Sequence, residues 1–463
     1  MKIGQFGMAE GQRRAEIPET FDALDERFFS IGQDDSYYEE LNKLGAETRD
    51  KVLRGLRDMA LVPELFERAR EEKVTGVSLL RSVTPGTILG QFGRMARGGV
   101  RLSRYEFGYT APKPARTRVA PVRLSFVVEP ESQPPTNIHV LIGRNGVGKT
   151  HLLNHMARAL VEEDARAADV GAFEGQTEDL LDDRVFANLV SVTFSAFDPF
   201  EPLPNRQNKS EGVHYAYIGL KRSGTTTEGK PLAPKNPARL ATEFAKSVWI
   251  CRQGARVSRW RRALEMLQAD PIFRDAGVAE LADEDVVEDD LQVQARKLFD
   301  KLSSGHKIVL LTITRLVETV EERTLVLLDE PEAHLHPPLL AAFVRALSDL
   351  LVNRNGVAII ATHSPVVLQE VPKSCAWKVR RNGVKVEAER PEIETFGENV
   401  GVLTREVFGL EVTHSGFHKL LRDSVGNDAT FRDVVDRFGG ELGGEAKAIV
   451  RGMIAARDAG DDL

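Results

Sequence analysis

Residues that could bind phosphate are concentrated in one segment, Gly143 to Thr150, which reads G-x-x-x-x-G-K-T. Glycines at this spacing let successive backbone N–H groups converge on a phosphate at the start of a helix. Lys149 would reach the β- and γ-phosphates of a nucleotide, and the Thr150 hydroxyl would bind Mg²⁺. The predicted phosphate-binding loop comprises Gly143, Arg144, Asn145, Gly146, Val147, Gly148, Lys149 and Thr150.

An acidic pair follows a second apolar run, TLVLLDEP, in which Asp329 and Glu330 come at the end of a predicted buried strand. Asp329 would provide a second Mg²⁺ contact, and Glu330 would polarise the water that attacks the γ-phosphate. An apolar strand ending in Asp-Glu is weak evidence alone, but its position after a phosphate-binding loop strengthens it. ATP and Mg²⁺ are therefore the expected ligands.

Two further elements resemble motifs of the ATP-binding-cassette superfamily. Leu302 to His306 reads LSSGH and is similar to the LSGGQ signature, while residues 361–365, ATHSP, resemble the switch-histidine element, with His363 as the γ-phosphate sensor. The four motifs also occur in the cassette order. The resemblance implies an ATPase with Glu330, Lys149 and His363 as catalytic residues.

The same resemblance implies that two copies face each other head to tail, so that the signature of one contacts the γ-phosphate held by the other. The signature residues that would act in trans are Ser303, Ser304 and Gly305. A homodimer, or a higher oligomer built from it, is the expected assembly.

The sequence departs from transporter-type cassettes in two places. Where those carry a glutamine that senses Mg²⁺, this chain reads FSAFDPF, so Ser195 or Asp198 would have to substitute. The stretch between Lys149 and Ser303 is also long. Together with DEPEAHLHP, residues 329–337, it resembles the structural-maintenance, RecF-like and overcoming-lysogenization-defect ATPases.

Within that branch the chain resembles the ATPase subunit of Septu-type anti-phage systems. The similar segments are FFSIGQDDSYYEEL, FSAFDPF, YIGLKR and TFGENVGVLTREVFGLEVTHSGFH. This resemblance implies a nucleotide-gated switch that controls a separate HNH-type nuclease, because no nuclease constellation follows His363 in this chain. The alternative is a DNA repair or recombination ATPase that acts on DNA directly.

The elements that must position these motifs alternate between strands and helices, which predicts an α/β fold with a parallel sheet. Predicted strands include 121–129, 138–142, 188–194, 324–329 and 357–362. The expected organisation is an N-terminal helical module over 1–90, a cassette-type P-loop ATPase head over 91–375, and a C-terminal hairpin and small helical region over 376–463. A helical insertion, or arm, over about 200–300 separates the phosphate-binding loop from the signature.

Composition bounds the remaining classes. The chain has 463 residues, a net charge of -7 and two cysteines, which excludes a uniformly basic surface and a disulfide scaffold. With no long apolar run and no leader after Met1, we expect a cytoplasmic protein with no membrane contact.

Local basic clusters leave nucleic acid open as a partner. One lies on the predicted insertion and comprises Arg252, Arg256, Arg259 and Arg262. Another spans Arg94 to Arg123, with Tyr105, Phe107 and Tyr109 interleaved for base stacking. A solvated helix face is the alternative for the first cluster. The pairs His334 with His336 and His414 with His418 have no third ligand at a recognisable spacing, so neither predicts a metal site.

Overall fold

The structure of this chain is a computed structural model, and it covers most of the sequence. It describes residues 1–9, 12, 14–81, 83, 85–99, 102, 104–113, 119–130, 132–177, 185–195, 200–204, 213–224, 232–253, 256–283, 287–409, 416–426 and 429–459. Among these residues, no helix combines the length and the apolar character that crossing a bilayer requires.

The elements alternate along the chain much as the sequence predicts. The strands are β1 (Lys2–Gln5), β2 (Phe28–Ile31), β3 (Tyr105–Thr110), β4 (Arg123–Val128), β5 (Ile138–Ile142), β6 (Ala172–Thr177), β7 (Asn188–Thr193), β8 (His214–Gly219), β9 (Thr324–Asp329), β10 (Val357–Thr362), β11 (Ala376–Asn382) and β12 (Lys385–Glu389). The helices before the insertion are α1 (Asp35–Lys43), α2 (Ala46–Gly55), α3 (Pro63–Ala69), α4 (Lys73–Val77), α5 (Pro85–Thr87), α6 (Gly93–Ala96), α7 (Lys149–Val161) and α8 (Ala167–Val170). Those that follow are α9 (Pro237–Cys251), α10 (Arg256–Leu267), α11 (Pro271–Asp275), α12 (Glu288–Lys301), α13 (Ser304–Thr319), α14 (Pro337–Val352), α15 (Pro365–Gln369), α16 (Val400–Phe408), α17 (Gly416–Val425), α18 (Phe431–Arg437) and α19 (Gly444–Ala459).

A seven-stranded sheet in the order β12-β11-β5-β10-β9-β7-β8 forms the core. Every neighbouring pair is parallel except the edge strand β12, which runs antiparallel to β11. The register places Thr362 beside Ile142 and Asp329 between Ala361 and Thr193. The carboxyl ends of β5, β10, β9 and β7 therefore meet at one edge, which confirms the predicted α/β class with a parallel sheet.

The central sheet is buried on both faces, which explains its nearly continuous apolar strands. One face packs on helices α9 to α14, and the other packs on α7 and a small antiparallel sheet in the order β4-β3-β6. Along β5, Val140 belongs to the first of these clusters and Leu141 to the second, as the two-residue period of a strand requires.

The insertion packs on the ATPase core along helices α9 to α12. The sequence predicts a helical insertion, or arm, in this stretch. Trp260 is fully buried and its Nε1 donates a hydrogen bond of 3.1 Å to Thr314 Oγ1 on α13. Phe244 of α9 stacks on Phe299 of α12 with ring centroids 4.9 Å apart. The insertion therefore adds a helical layer beside the signature helix.

The terminal regions differ in detail from the expectation. The N-terminal region has its own core around Phe29, Tyr38 and Phe66, but it also contains the antiparallel pair β1-β2, and its helices continue to Ala96. The predicted hairpin is present as β11-β12, with Gly383 and Val384 between the paired Asn382 and Lys385. Because β11 pairs with β5, the hairpin extends the central sheet, whereas the sequence grouped it with the C-terminal helices.

Candidate nucleotide site

The phosphate-binding loop connects β5 to α7 at the shared edge of the sheet. Gly146 and Gly148 adopt φ values of +82° and +103°, a region in which side chains are strained. A Cβ atom at Gly143 would lie 2.2 Å from the Val379 carbonyl oxygen, so only glycine fits between this loop and β11. Residues 144–146 of the loop are exposed at this edge of the sheet.

Lys149 lies in the first turn of α7 and is only 4% exposed. Its Nζ donates hydrogen bonds to the carbonyl oxygens of Gly143, at 2.9 Å, and Arg144, at 3.0 Å. Burial lowers the pKa of Lys149, while the charges of Glu330, Asp329 and Glu332 act in the opposite direction. These carboxylates share the electrostatic environment of the lysine and favour its charged form.

Thr150 and Asp329 line one cavity of about 60 Å³ between α7 and the ends of β7 and β9. Ser191 and Thr193 of β7 contribute to the same cavity. Hydroxyl and carboxylate oxygens are the donors that Mg²⁺ prefers, and a volume of this size accommodates a cation with one or two waters. Thr150 and Asp329 therefore fit the Mg²⁺ ion that the sequence predicts at these two residues.

Glu330 and His363 leave the ends of the neighbouring strands β9 and β10. His363 Nδ1 lies 3.9 Å from Glu330 Oε1, and both side chains are partly exposed. Glu330 has a φ of +45°, which is unusual for a residue with a side chain, and its backbone N donates to the Ala361 carbonyl at 2.9 Å. This conformation turns the carboxylate away from the strand direction and toward the loop that carries His363.

Glu332 is a site residue to which the sequence assigned no role. Its Oε1 accepts hydrogen bonds from Thr362 Oγ1, at 2.5 Å, and from the backbone N of His363, at 2.7 Å. The same oxygen lies 3.1 Å from His363 Nδ1. Glu332 therefore ties the loop after Glu330 to the loop of the predicted γ-phosphate sensor. Its place two residues after Glu330 was visible, but its contact with β10 was not.

A second cavity, of about 680 Å³, opens beside residues 143–147 of the loop. Its other side is formed by Arg380 and Arg381 of β11, Gly383, and Val407, Phe408 and Gly409 at the end of α16. Its volume lies in the range of small-molecule and cofactor sites. The sequence offered no signal for this wall, because the hairpin reaches the loop only through the pairing of β11 with β5.

The signature residues lie at the start of α13. Ser303 caps the helix, and its Oγ is 2.6 Å from His306 Nδ1. Ser303 and Ser304 are exposed, whereas Gly305 is buried so closely that a Cβ atom would lie 2.4 Å from the His334 carbonyl oxygen. Neither cavity beside the phosphate-binding loop is lined by a signature residue, as far as the structure describes the chain.

Two residues are candidates to replace the glutamine of transporter-type cassettes. Ser195 follows β7 at the same sheet edge, and its backbone N donates to Thr193 Oγ1 at 3.4 Å. The other candidate for the missing glutamine, Asp198, lies outside the described residues. Of the four predicted motifs, the phosphate-binding loop, the acidic pair and the switch histidine meet at this sheet edge. The signature motif lies apart from them.

Of the four basic residues that the sequence predicts for nucleic-acid contact on the insertion, three are half-buried, and the fourth is exposed and paired with an acidic residue. Arg262 forms an ion pair with Asp349 of α14, and Arg252, Arg256 and Arg259 are half-buried.

In the stretch from Arg94 to Arg123, the stacking candidates Tyr105, Phe107 and Tyr109 are at most 2% exposed and form part of the core. Arg101, Arg116 and Arg118 of that stretch are not among the described residues. The aromatic rings therefore stabilise the small sheet, which explains their alternation along β3.

Known proteins resemble the chain at several levels. Residues 257–369 match a family model described as an AAA domain, putative AbiEii toxin, type IV toxin–antitoxin system. Protein ea59 of Escherichia phage lambda is 41% identical over an alignment 481 residues long, which covers 99% of this chain and 89% of that protein. A putative metal-chelate type ABC transporter in an inward-facing conformation aligns with a TM-score of 0.33 and 16% identity, over 66% of this chain and 88% of that chain.

Proposed function

We propose that this chain, which belongs to the same family as protein ea59 of Escherichia phage lambda and matches an AAA domain over residues 257–369, is a P-loop ATPase of the cassette type that acts as a nucleotide-gated switch. It binds and hydrolyses ATP, and it controls a separate nuclease in anti-phage defence. The observation that carries the ATPase proposal is the convergence of Lys149, Asp329, Glu330 and His363 at one edge of the parallel sheet.

The proposed reaction is in-line attack of water on the γ-phosphate of ATP, which breaks the bond from the γ-phosphorus to the bridging oxygen and releases ADP and phosphate. Glu330 accepts the proton of the attacking water, and the Lys149 ammonium stabilises negative charge on the β- and γ-phosphate oxygens. His363 senses the γ-phosphate beside Glu330. The Thr150 hydroxyl and the Asp329 carboxylate would hold Mg²⁺, which would supply further charge neutralisation.

Replacing Glu330 with Gln tests this assignment. The amide keeps the shape of the carboxylate but cannot accept the proton, so we expect kcat to fall by at least about 100-fold. ATP affinity, measured by titration with a fluorescent analogue, should change little. Lys149→Ala is the matched variant and should instead lose affinity. Normal turnover by Glu330→Gln would show that another residue activates the water.

The proposed assembly is a head-to-tail dimer, or a higher oligomer built from such dimers. Exposure of Ser303 and Ser304, away from the cavities beside their own phosphate-binding loop, supports a role for them at a partner's nucleotide. Under this proposal each active site is completed by a second copy of the chain.

The defence role is supported by the resemblance of the segments quoted above to Septu-type ATPases. An HNH nuclease encoded beside this gene, whose DNA cleavage responds to ATP in the presence of the chain, is the expected observation. ATPase turnover that DNA stimulates in the isolated chain, and that charge reversal at Arg256 and Arg259 abolishes, would favour the repair alternative.

A further inference from the structure

Three side chains with metal-binding atoms meet behind the signature motif. Asp270 caps α11 in the insertion, His306 lies in the first turn of α13, and His336 caps α14. One ligand atom from each lies within 4.8 Å of the others. Each of these residues belongs to a different helix, so their spacing in the sequence does not match a metal-binding motif.

The distances suit a small divalent transition metal. His306 Nε2 lies 3.2 Å from Asp270 Oδ1, and His336 Nε2 lies 3.5 Å from Asp270 Oδ2. Metal–ligand bonds of about 2.0 to 2.2 Å in tetrahedral geometry place neighbouring ligand atoms about 3.3 to 3.6 Å apart. The two imidazoles face different oxygens of the Asp270 carboxylate, and because one ligand atom of each residue lies within 4.8 Å of the others, a metal would draw the three groups slightly closer.

The two inner ligands are already held in place. Asp270 is 8% exposed and its Oδ1 accepts a hydrogen bond of 2.8 Å from the backbone N of Ile272. His306 is 3% exposed and packs edge-on against the ring of Phe273 at 4.9 Å. The outer ligand gives access to solvent, because the His336 side chain is 51% exposed. Such a site has room for a water as fourth ligand.

Ser303 provides the outer contact that a metal-bound histidine normally has. His306 Nδ1 is 2.6 Å from Ser303 Oγ, so Nε2 is the nitrogen left for a metal. For His336, Nδ1 accepts a long contact of 3.4 Å from the backbone N of Leu339. Metal binding through Nε2 would place the ring hydrogen on Nδ1, so this weak contact would be lost and a metal bond gained.

We propose that Asp270, His306 and His336 form a binding site for a divalent transition metal of the Zn²⁺ class, distinct from the Mg²⁺ position at Thr150 and Asp329. The metal connects the insertion to the signature helix α13 and to α14. It also fixes the hydrogen on His306 Nδ1, which then donates to Ser303 Oγ and leaves the Ser303 hydroxyl hydrogen free. This last consequence rests on the proposed function, since only then does Ser303 face a phosphate.

The test is titration of the full-length, chelator-treated protein with Co²⁺ and Zn²⁺, without nucleotide and with excess Mg²⁺ to saturate the phosphate-binding loop. We expect one equivalent of Co²⁺ to bind with the visible absorption of a four-coordinate site, and Zn²⁺ to displace it. His336→Asn keeps a helix-capping side chain at this position, and Asp270→Asn keeps the cap at Ile272. Each should weaken Co²⁺ binding at least about tenfold.

His334→Asn is the matched control, because His334 is an exposed histidine of the same segment that does not belong to the cluster. It should bind Co²⁺ as the wild type does, and so should Asp329→Asn. The proposal is overturned if no equivalent of Co²⁺ binds, or if His336→Asn and Asp270→Asn bind as tightly as His334→Asn. Since no nucleotide is present, neither outcome bears on ATP hydrolysis.

Discussion

At the residue scale, the proposed chemistry depends on groups whose backbone conformation or burial is energetically unfavourable. Glu330 has a left-handed backbone, and Lys149 is buried although it carries a charge. Such states persist only where the surroundings hold them, and they are common at functional sites. Here the Ala361 carbonyl holds the Glu330 backbone, and the carbonyls of Gly143 and Arg144 hold the ammonium.

Glu332 is expected to act as a positioning residue for His363. Replacing it with Ala removes the acceptor for Thr362 Oγ1 and His363 N, so kcat for ATP should fall about tenfold to 100-fold while KM changes little. Glu332→Gln keeps a carbonyl acceptor and should recover most of the rate. Steady-state kinetics on both variants measure this split. A purely structural role would instead lower the thermal midpoint of both variants and leave kcat per folded molecule unchanged.

At the element scale, the sequence predicts those parts of the fold that depend on local patterns. The predicted bounds of β5, β9 and β10 match the structure, because each is a short apolar run closed by polar residues. Strand β8 fell in a stretch assigned to loop and insertion, since its YAYIG core is flanked by polar segments. The strand order and the contact of Asp270 with His306 depend on packing between distant segments, so no local pattern could reveal them.

The connection between the N-terminal region and the ATPase core predicts a dependence of stability on pH. Glu322 precedes β9 and pairs with Arg94 of α6 at 3.2 Å. Burial raises the pKa of Glu322 to about 7 from an ordinary 4.5, against the opposing effect of Arg94. Between these two values the folded protein binds more protons than the unfolded chain, so the free energy of unfolding should fall as pH rises.

The measurement is urea unfolding between pH 5 and pH 7 for wild type and Glu322→Gln. One such group changes the free energy of unfolding by at most about 1.4 kcal/mol per pH unit, and the variant should lose that contribution. Glu321→Gln, the neighbouring substitution, should retain the wild-type slope. Equal slopes for wild type and Glu322→Gln would show that Glu322 does not titrate in this range.

At the scale of the whole molecule, the residues of the proposed nucleotide site lie in two separate places on one chain. The phosphate-binding loop, the acidic pair and His363 meet at the sheet edge, while Ser303 and Ser304 are exposed at the start of α13. Because the two sets of residues lie on different elements of the chain, we propose that a second chain completes the site. The ATPase rate per chain should therefore depend on protein concentration.

Complementation between two inactive variants tests the proposed dimer most directly. Ser304→Arg places a bulky charge on the exposed signature but leaves the loop intact, and Lys149→Ala has the reverse defect. Random pairing of equal amounts makes about half of the dimers mixed, and each mixed dimer contains one intact site. If the sites act independently, the mixture should therefore recover about a quarter of the wild-type ATPase rate, measured by phosphate release. Each variant alone should remain inactive. A mixture no more active than its components would contradict a site completed in trans, whereas full activity of Ser304→Arg alone would remove the signature from the reaction.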